Sequence, residues 1–203
     1  MGSVEIVPME RKHIEKAAQV ISRSFQTEEF ARNTLDFSDP ETEALFAELL
    51  QIELTVFKKH GEKVELALYE GDIAGVYTMR VTGEGHGVSN LKQTFKRLRK
   101  VLPVAKRIKY KKLYRLYRAM QQPAVIPEDA LLLEILAVDP DFQGKGVGRA
   151  MMASVDEYSG SAGRPVYLYT ANAENVEYYE RLGYKLMETI QKKDFTAYHM
   201  LKS

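Results

Sequence analysis

A glycine-rich loop at residues 143–149 could bind the phosphate groups of a cofactor. It consists of Gln143, Gly144, Lys145, Gly146, Val147, Gly148 and Arg149. Unpaired N–H groups at a helix start bind anions, and glycine lets a phosphate approach them closely. Lys145 and Arg149 add positive charge to the loop. The spacing matches neither the Rossmann nor the P-loop pattern, so the loop alone fits a simple packing turn equally well.

Glu134 is a second residue whose position could carry chemistry. It is the only charged residue in the apolar run 131–138, which is typical of a strand buried on both faces. Burial disfavours the ionised form of a carboxyl group, and this would suit a general base. The alternative is a carboxylate paired with a residue of the basic segment described below. Asp139 is expected instead to cap the turn at Pro140.

A second motif follows the loop after a short interval. Its members are Asn172, Asn175, Tyr179, Gly183 and Tyr184. Read as Q-x-x-G-x-G between a strand and a helix, the loop resembles the acetyl-coenzyme A loop of the GNAT N-acetyltransferase superfamily. The second motif has the spacing of that family's next helix, although Asn175 replaces the usual small residue. The resemblance implies an acetyl-CoA dependent acyltransferase that acetylates a primary amine of an unidentified small molecule or protein.

The resemblance also implies roles for the matching residues. Tyr179 would donate a proton to the sulfur of coenzyme A, although a tyrosine here could also serve only packing and hydrogen bonding. Two further expectations come from the residues themselves: Glu134 would accept the proton of the amine, directly or through water, and Tyr178, which points elsewhere on the helix, would be structural. The backbone N–H of Val138 would polarise the thioester carbonyl. The residues placed against the cofactor are Leu136, Ala137, Val138, Gln143, Gly144, Lys145, Gly146, Val147, Gly148, Arg149, Asn172, Asn175 and Tyr179.

Composition is consistent with one domain spanning residues 1–203, in which 45% of the residues are hydrophobic. The chain contains no apolar run of about 18 residues and no signal-peptide core, which favours a cytoplasmic protein. The absence of cysteine excludes a thiolate nucleophile. Four scattered histidines lack the spacing of metal ligands, so no metal is expected.

Apolar spacing predicts the elements that position these residues. Strands are expected at residues 4–8, 64–68, 73–81, 131–138, 166–170, 185–190 and 195–201. Helices are expected at residues 14–25, 149–158 and 174–182, and another between an Asp39 cap and Gly61 with the stripe Leu45, Leu49, Ile52 and Val56. This order fits an α/β (α+β) fold of the GNAT type, with a mixed, mostly antiparallel central sheet and flanking helices.

A basic segment separates the third and fourth predicted strands, at about residues 83–127. Residues 85–127 include no acidic residue and twelve basic ones. Removing these twelve from the 29 basic residues of the chain leaves 17 against 28 acidic residues, a balance of −11. Two inserted helices are predicted, one with the stripe Leu91, Phe95, Leu98 and Leu102, the other with Leu113, Leu116 and Met120 beside Tyr110, Tyr114 and Tyr117.

The basic segment leaves several interpretations open. It is either a solvated face that balances the acidic remainder or a surface for an anionic membrane, nucleic acid or an acidic protein or substrate. In the resembled fold, it could also form one wall of the acceptor pocket. The alternatives to an acetyltransferase are therefore a non-catalytic acyl-CoA sensor and a basic-helix module that binds an anionic surface or nucleic acid. A homodimer is also left open.

Overall fold

The structure is a computed structural model, and it describes residues 2–26, 28–39, 41–82, 109–193 and 195–203. The strands are β1 (Val4–Pro8), β2 (Lys63–Tyr69), β3 (Asp72–Val81), β4 (Leu131–Val138), β5 (Val166–Thr170), β6 (Lys185–Lys192) and β7 (Phe195–Lys202). Within the described residues they form one sheet in the order β1-β2-β3-β4-β5-β7-β6. Neighbouring strands are antiparallel except β4 and β5, which are parallel. The predicted mixed, mostly antiparallel sheet is thus confirmed.

Helices cover both faces of this sheet. They are α1 (Ile14–Phe25), α2 (Glu29–Thr34), α3 (Glu41–His60), α4 (Tyr110–Ala119), α5 (Val147–Ala162) and α6 (Ala173–Arg181). On one face, α1 and α3 bury Ile21 and Leu54 against a group of β-strand residues that includes Ile135. On the other face, α5 and α6 bury Met151 and Tyr179 in a second core cluster. Burial of these two apolar faces is the main force that holds the layers together.

Two details of the first half differ from the sequence prediction. Helix α3 buries Thr42, Leu50, Leu54 and Phe57, whereas the predicted stripe of Leu45, Leu49, Ile52 and Val56 is only half-buried. The prediction of which side of α3 is buried was wrong, because this helix is apolar around much of its circumference and several of its sides could pack against the sheet. Helix α2, a single short segment, was not predicted at all. The ends of α3 were predicted correctly. The Glu41 N–H donates to Asp39 Oδ1 over 2.9 Å at its start, and the helix ends at His60, just before Gly61.

The basic insert is described only at its C-terminal end. The predicted stripe of Leu91, Phe95, Leu98 and Leu102 lies outside the described residues. The second predicted helix is α4, which packs Leu116 and Ala119 against Phe195 and Ala197 of β7. Tyr114 and Tyr117 are each 60% exposed on the opposite side of α4. In the described ranges of the chain, no helix is long and apolar enough to cross a membrane.

The parallel strands β4 and β5 diverge soon after they meet. They pair only as Leu131 with Val166 and Leu132 with Tyr167. Strand β4 continues along β3 as far as Val138, and β5 continues along β7 as far as Thr170. The sheet therefore contains a wedge-shaped opening between residues 133–138 and 168–170. We refer to this feature as the β4–β5 opening.

Candidate functional site

The glycine loop leads directly into an uncapped helix start. Gly144 and Gly146 have positive φ angles of 75° and 83°, which other residues rarely adopt. Gly146 is the N-cap of α5, and no side chain caps this helix. Side chains added at Gly144 or Gly146 would meet no atom within 4 Å, so the space above the loop is open. The first-turn N–H groups of α5, which lack partners inside the helix, can therefore reach an anion.

A double ion pair fixes the entrance to this loop. Arg23 of α1 donates from Nη1 to Asp139 Oδ2 over 2.9 Å and from Nη2 to Asp141 Oδ2 over 2.8 Å. The Asp139 side chain is buried, and its Oδ1 accepts from the Asp141 N–H over 3.0 Å. The predicted capping role of Asp139 is thus confirmed. The hydrogen bond from Arg23 also lowers the pKa of Asp141.

The two predicted cationic residues of the loop have different surroundings. Lys145 Nζ lies 4.8 Å from the ring centroid of Phe142 and 5.4 Å from that of Tyr69. These cation–π contacts hold the exposed ammonium beside the loop. Arg149 is exposed on the first turn of α5, and Gln143 is exposed at the end of the preceding 3₁₀ turn. The charge of both cations is thus available to a ligand at the helix start.

Tyr178 and Tyr179 lie side by side behind the opening. Tyr179 is 9% exposed, and its ring packs 5.2 Å from Tyr178 and 5.7 Å from Tyr184. Burial raises the pKa of Tyr179, and the charges of Tyr178 and Glu28 raise it further. The phenol therefore keeps its proton at neutral pH and can serve as a proton donor.

Tyr178 is closer to the helix start than the sequence suggested. Its hydroxyl would lie 3.8 Å from a Cβ atom built on Gly148. Burial raises the pKa of Tyr178, and the neighbouring Arg149 opposes this effect. Tyr178 was expected to be structural, and no sequence pattern indicates that its hydroxyl faces the first turn of α5.

The two asparagines of the second motif make local hydrogen bonds. Asn172 is the N-cap of α6 and accepts from the Glu174 N–H over 3.0 Å. Asn175 Nδ2 donates to Thr170 Oγ1 over 3.3 Å. These bonds join the end of β5 to the start of α6. They place both residues at the edge of the β4–β5 opening.

Glu134 lies at a β-bulge. The register between β3 and β4 changes here: Thr78 pairs with Ile135 and Met79 pairs with Leu133, so Glu134 is the extra residue of the bulge. Arg80 Nε donates to Glu134 Oε2 over 2.8 Å. The two side chains are 23% and 22% exposed. Among the described residues the carboxylate is therefore paired with Arg80 of β3, whereas the predicted partner was a residue of the basic insert, most of which lies outside those residues.

More acidic groups surround this ion pair. Burial raises the pKa of Glu53 in α3 to about 7, and the charge of Glu134 contributes. Glu53 is exposed on α3, but the surrounding protein displaces enough water from its carboxyl group to raise the pKa. The pKa of Glu62 is likewise raised to about 7, first by burial and then by Glu134. Among the described residues no group of three or more His, Asp or Glu could hold a metal ion.

Helix α4 is held against β7 by a buried histidine. His199 of β7 is fully buried, and its Nε2 donates to the Ala119 carbonyl over 2.9 Å. This fixes the neutral tautomer in which Nδ1 accepts from the Tyr167 hydroxyl over 2.7 Å. The ring centroid of Tyr169 lies 6.0 Å from that of His199. The backbone N–H of Lys109 also donates to the Thr34 carbonyl over 2.9 Å, so the described end of the insert contacts α2.

The structure thus divides the predicted residues between two faces of the sheet. The loop, Arg149 and Tyr179 lie on the α5 and α6 face, together with the partly buried Leu136 and Val138. Glu134 lies toward the α3 face, where Ala137 is buried. The sequence analysis missed Arg23, Arg80, Glu53, Glu62 and Tyr169. Only their three-dimensional contacts, and no local motif, distinguish them from ordinary surface residues.

Comparisons with known sequences find acetyltransferase relatives for part of the chain. A family model described as an acetyltransferase (GNAT) domain matches residues 109–186. An uncharacterized N-acetyltransferase of Methanocaldococcus jannaschii is 37% identical over 57 residues, which cover 27% of this chain. The match spans only 25% of that relative's length.

Comparisons with solved structures cover nearly the whole chain. A Corynebacterium glutamicum protein described as histone acetyltransferase HPA2 and related acetyltransferase has a TM-score of 0.71 at 18% identity, covering 98% of this chain and 96% of that one. The PaiA N-acetyltransferase of Thermoplasma acidophilum, in complex with coenzyme A, has a TM-score of 0.61 at 12% identity, with 99% of both chains covered. At these identities the likeness establishes the fold.

Proposed function

This chain belongs to the GNAT superfamily, and we propose that it transfers the acetyl group of acetyl-CoA directly to a primary amine. The observation that carries the proposal is the position of the β4–β5 opening. It lies beside the uncapped start of α5, with Tyr179 on one face of the sheet and Glu134 toward the other. A cofactor on the α5 face and an acceptor on the α3 face would meet at this opening.

The cofactor would lie along β4 with its pyrophosphate on the glycine loop. The Asp139 N–H donates to the Ala74 carbonyl of β3 over 2.9 Å. Because backbone groups alternate in direction along a strand, the N–H groups of Val138 and Leu136 face the opening. Within the described residues they have no partner in β5, so they would bind the pantetheine arm, and the Val138 N–H would polarise the thioester carbonyl. Lys145 and Arg149 would add charge at the pyrophosphate end.

The reaction would proceed by direct attack of the amine nitrogen on the thioester carbonyl carbon. Glu134 would accept the proton that the ammonium must lose, directly or through a water molecule. Collapse of the tetrahedral intermediate would break the C–S bond, and Tyr179 would give its proton to the departing thiolate. The nitrogen would lose its second proton to water as the amide forms, and solvent would return a proton to Tyr179. Because its pKa is raised, the phenol holds the proton that this step needs at neutral pH.

The acceptor end of the opening favours a positively charged amine. Glu134, Glu53 and Glu62 interact with one another electrostatically, and the positive charge of Arg80 opposes their effect by lowering the pKa of Glu62. Three carboxyl groups around one guanidinium give this end a negative potential when they are ionised. An ammonium arriving here would also favour the ionised carboxylates.

Native mass spectrometry of the purified protein with acetyl-CoA tests the cofactor assignment. A bound coenzyme mass, followed by thiol release that depends on an added amine, is the expected result. A panel of mono-, di- and polyamines, amino acids and peptides would serve as acceptors. Glu134→Gln should retain the bound mass and lose most of the thiol release.

The same experiment separates the alternative functions. An acyl-CoA sensor would retain the coenzyme mass and release no thiol with any amine, and Glu134→Gln would change nothing. A basic-helix module without a cofactor would show neither the mass nor the release. Binding to nucleic acid or anionic vesicles at low salt would then be its signature, because electrostatic association is strongest there.

A further inference from the structure

We propose that Arg80 is a positioning residue that holds the Glu134 carboxylate at the acceptor end of the β4–β5 opening. The inference rests on the proposed function, because it assigns the acetyl-transfer reaction to Glu134. It adds a residue in β3 that belongs to neither of the two sequence motifs. Arg80 acts through Glu134 and is not required to touch the substrate.

The bulge explains why Glu134 needs a partner. Its neighbours Ile135 and Leu133 are held opposite Thr78 and Met79, whereas Glu134 has no residue opposite it. Such an extra residue lacks the ladder contacts that orient ordinary strand side chains. The bond from Arg80 Nε to Glu134 Oε2, at 2.8 Å, supplies that orientation from the adjacent strand. It engages Oε2, and no described residue hydrogen-bonds to Oε1, which would face the acceptor.

The surrounding charges explain why the partner must be a cation. Glu53 faces the pair from α3, and Glu62 faces it from the connection between α3 and β2. Tyr169 faces it from β5, since both Glu134 and Arg80 influence its pKa. The two acidic neighbours repel the Glu134 carboxylate. Without Arg80 this side chain, which already has 22% of its surface exposed, would turn toward water.

A double-mutant cycle tests the inference in the full-length protein. The variants are Arg80→Gln, Arg80→Lys, Glu134→Gln and the double variant Arg80→Gln with Glu134→Gln. Arg80→Gln should lower kcat/KM for the amine by about 100-fold, which is the cost of misplacing a reacting group by about 1 Å. The KM for acetyl-CoA should stay unchanged, and Arg80→Lys should recover part of the loss because only one donor is used.

The decisive result is the double variant. If Arg80 acts through Glu134, Arg80→Gln should cost nothing further once Glu134 is already Gln. Equal losses in both backgrounds would overturn the proposal. Wild-type rates in Arg80→Gln would also contradict a positioning role.

A control and a structural readout separate this inference from the proposed function. Lys202→Gln breaks an ion pair of the same length, 2.8 Å to Asp156, away from the opening, and should leave the kinetics unchanged. If the wild-type protein transfers no acetyl group, the proposed function fails. A crystal structure of Arg80→Gln then decides the positioning role alone. A displaced Glu134 carboxylate supports it, and a carboxylate in its original place overturns it.

Discussion

Replacement of Tyr179 by Phe separates proton donation from packing. The substitution removes one oxygen and keeps the ring, which packs 5.2 Å from Tyr178 and 5.7 Å from Tyr184. Stability should therefore change by no more than about 1 kcal/mol. General acid catalysis contributes about 100- to 10,000-fold, so kcat should fall by at least about 100-fold. Steady-state kinetics with a saturating amine and thermal unfolding of both proteins measure the two effects.

Tyr178→Phe is the matched control, because it removes the same atom from the adjacent residue. The Tyr178 hydroxyl lies beside Gly148 at the start of α5. Its loss should raise the KM for acetyl-CoA by several-fold, the effect of about one hydrogen bond, and leave kcat close to the wild-type value. The two variants thus differ in which kinetic constant changes.

Two outcomes would refute this reasoning. Wild-type kcat in Tyr179→Phe, with coenzyme binding intact, would remove Tyr179 from the mechanism. Equal losses of kcat in both variants would show that the tyrosine pair acts through packing. A third outcome would support proton donation. In it, kcat of Tyr179→Phe is restored only by an acyl donor whose leaving thiolate is a weaker base, because such a thiolate can depart without an acid.

Three further substitutions test the rest of the site. Gly146→Val should strain the positive φ by about 1–3 kcal/mol and weaken coenzyme binding in calorimetry, whereas Gly160→Ala, inside the same helix, should stabilise the protein by about 0.5–1 kcal/mol. Arg23→Gln should lower the free energy of unfolding in urea by about 1–3 kcal/mol, since it leaves the buried Asp139 carboxylate without its cation; an unchanged midpoint would contradict this. Burial lowers the pKa of His199, so the unfolded state binds its proton first as pH falls. The contribution of neutral His199 to the free energy of unfolding should be fully present above about pH 6.5 and should decrease below it, by at most about 1.4 kcal/mol per pH unit. Thermal denaturation at a series of pH values should show a flatter slope for His199→Gln.

The positions of the strands along the chain and the glycine loop could be predicted from the sequence. Alternating apolar residues in β2 and β3 and the continuous apolar run of β4 determine those strands locally. The glycine loop is equally local, because positive φ angles at Gly144 and Gly146 leave few other residues acceptable. The phase of α3 could not be read in this way. Its half-buried Leu45 and Leu49 are as apolar as its buried Leu50 and Leu54, so packing against the sheet makes the choice.

The proposed acceptor side and the entrance to the glycine loop both depend on contacts that no local pattern records. Arg80 and Glu134, at the proposed acceptor side, are 54 positions apart, and Arg23 and Asp139, at the loop entrance, are 116 apart. In the sequence, Glu134 has many basic candidates for a partner, and the twelve charges of the insert are the most conspicuous of them. The actual partner is one strand away because β3 and β4 pair antiparallel with a bulge. Register, and not charge density, determines which cation reaches the carboxylate.

The two ends of the β4–β5 opening therefore follow different rules. In the proposed function, the cofactor end would be built mostly by residues 136–149 and 172–179, since a pyrophosphate and a pantetheine arm need backbone groups and a helix start. The acceptor end would take Glu53 from α3, Arg80 from β3, Glu134 from β4 and Tyr169 from β5. Substitutions in those separate elements can change the charge and shape of this end while the cofactor segments stay the same. Acceptor choice in this fold can accordingly vary without any change in the two motifs by which the chain is recognised.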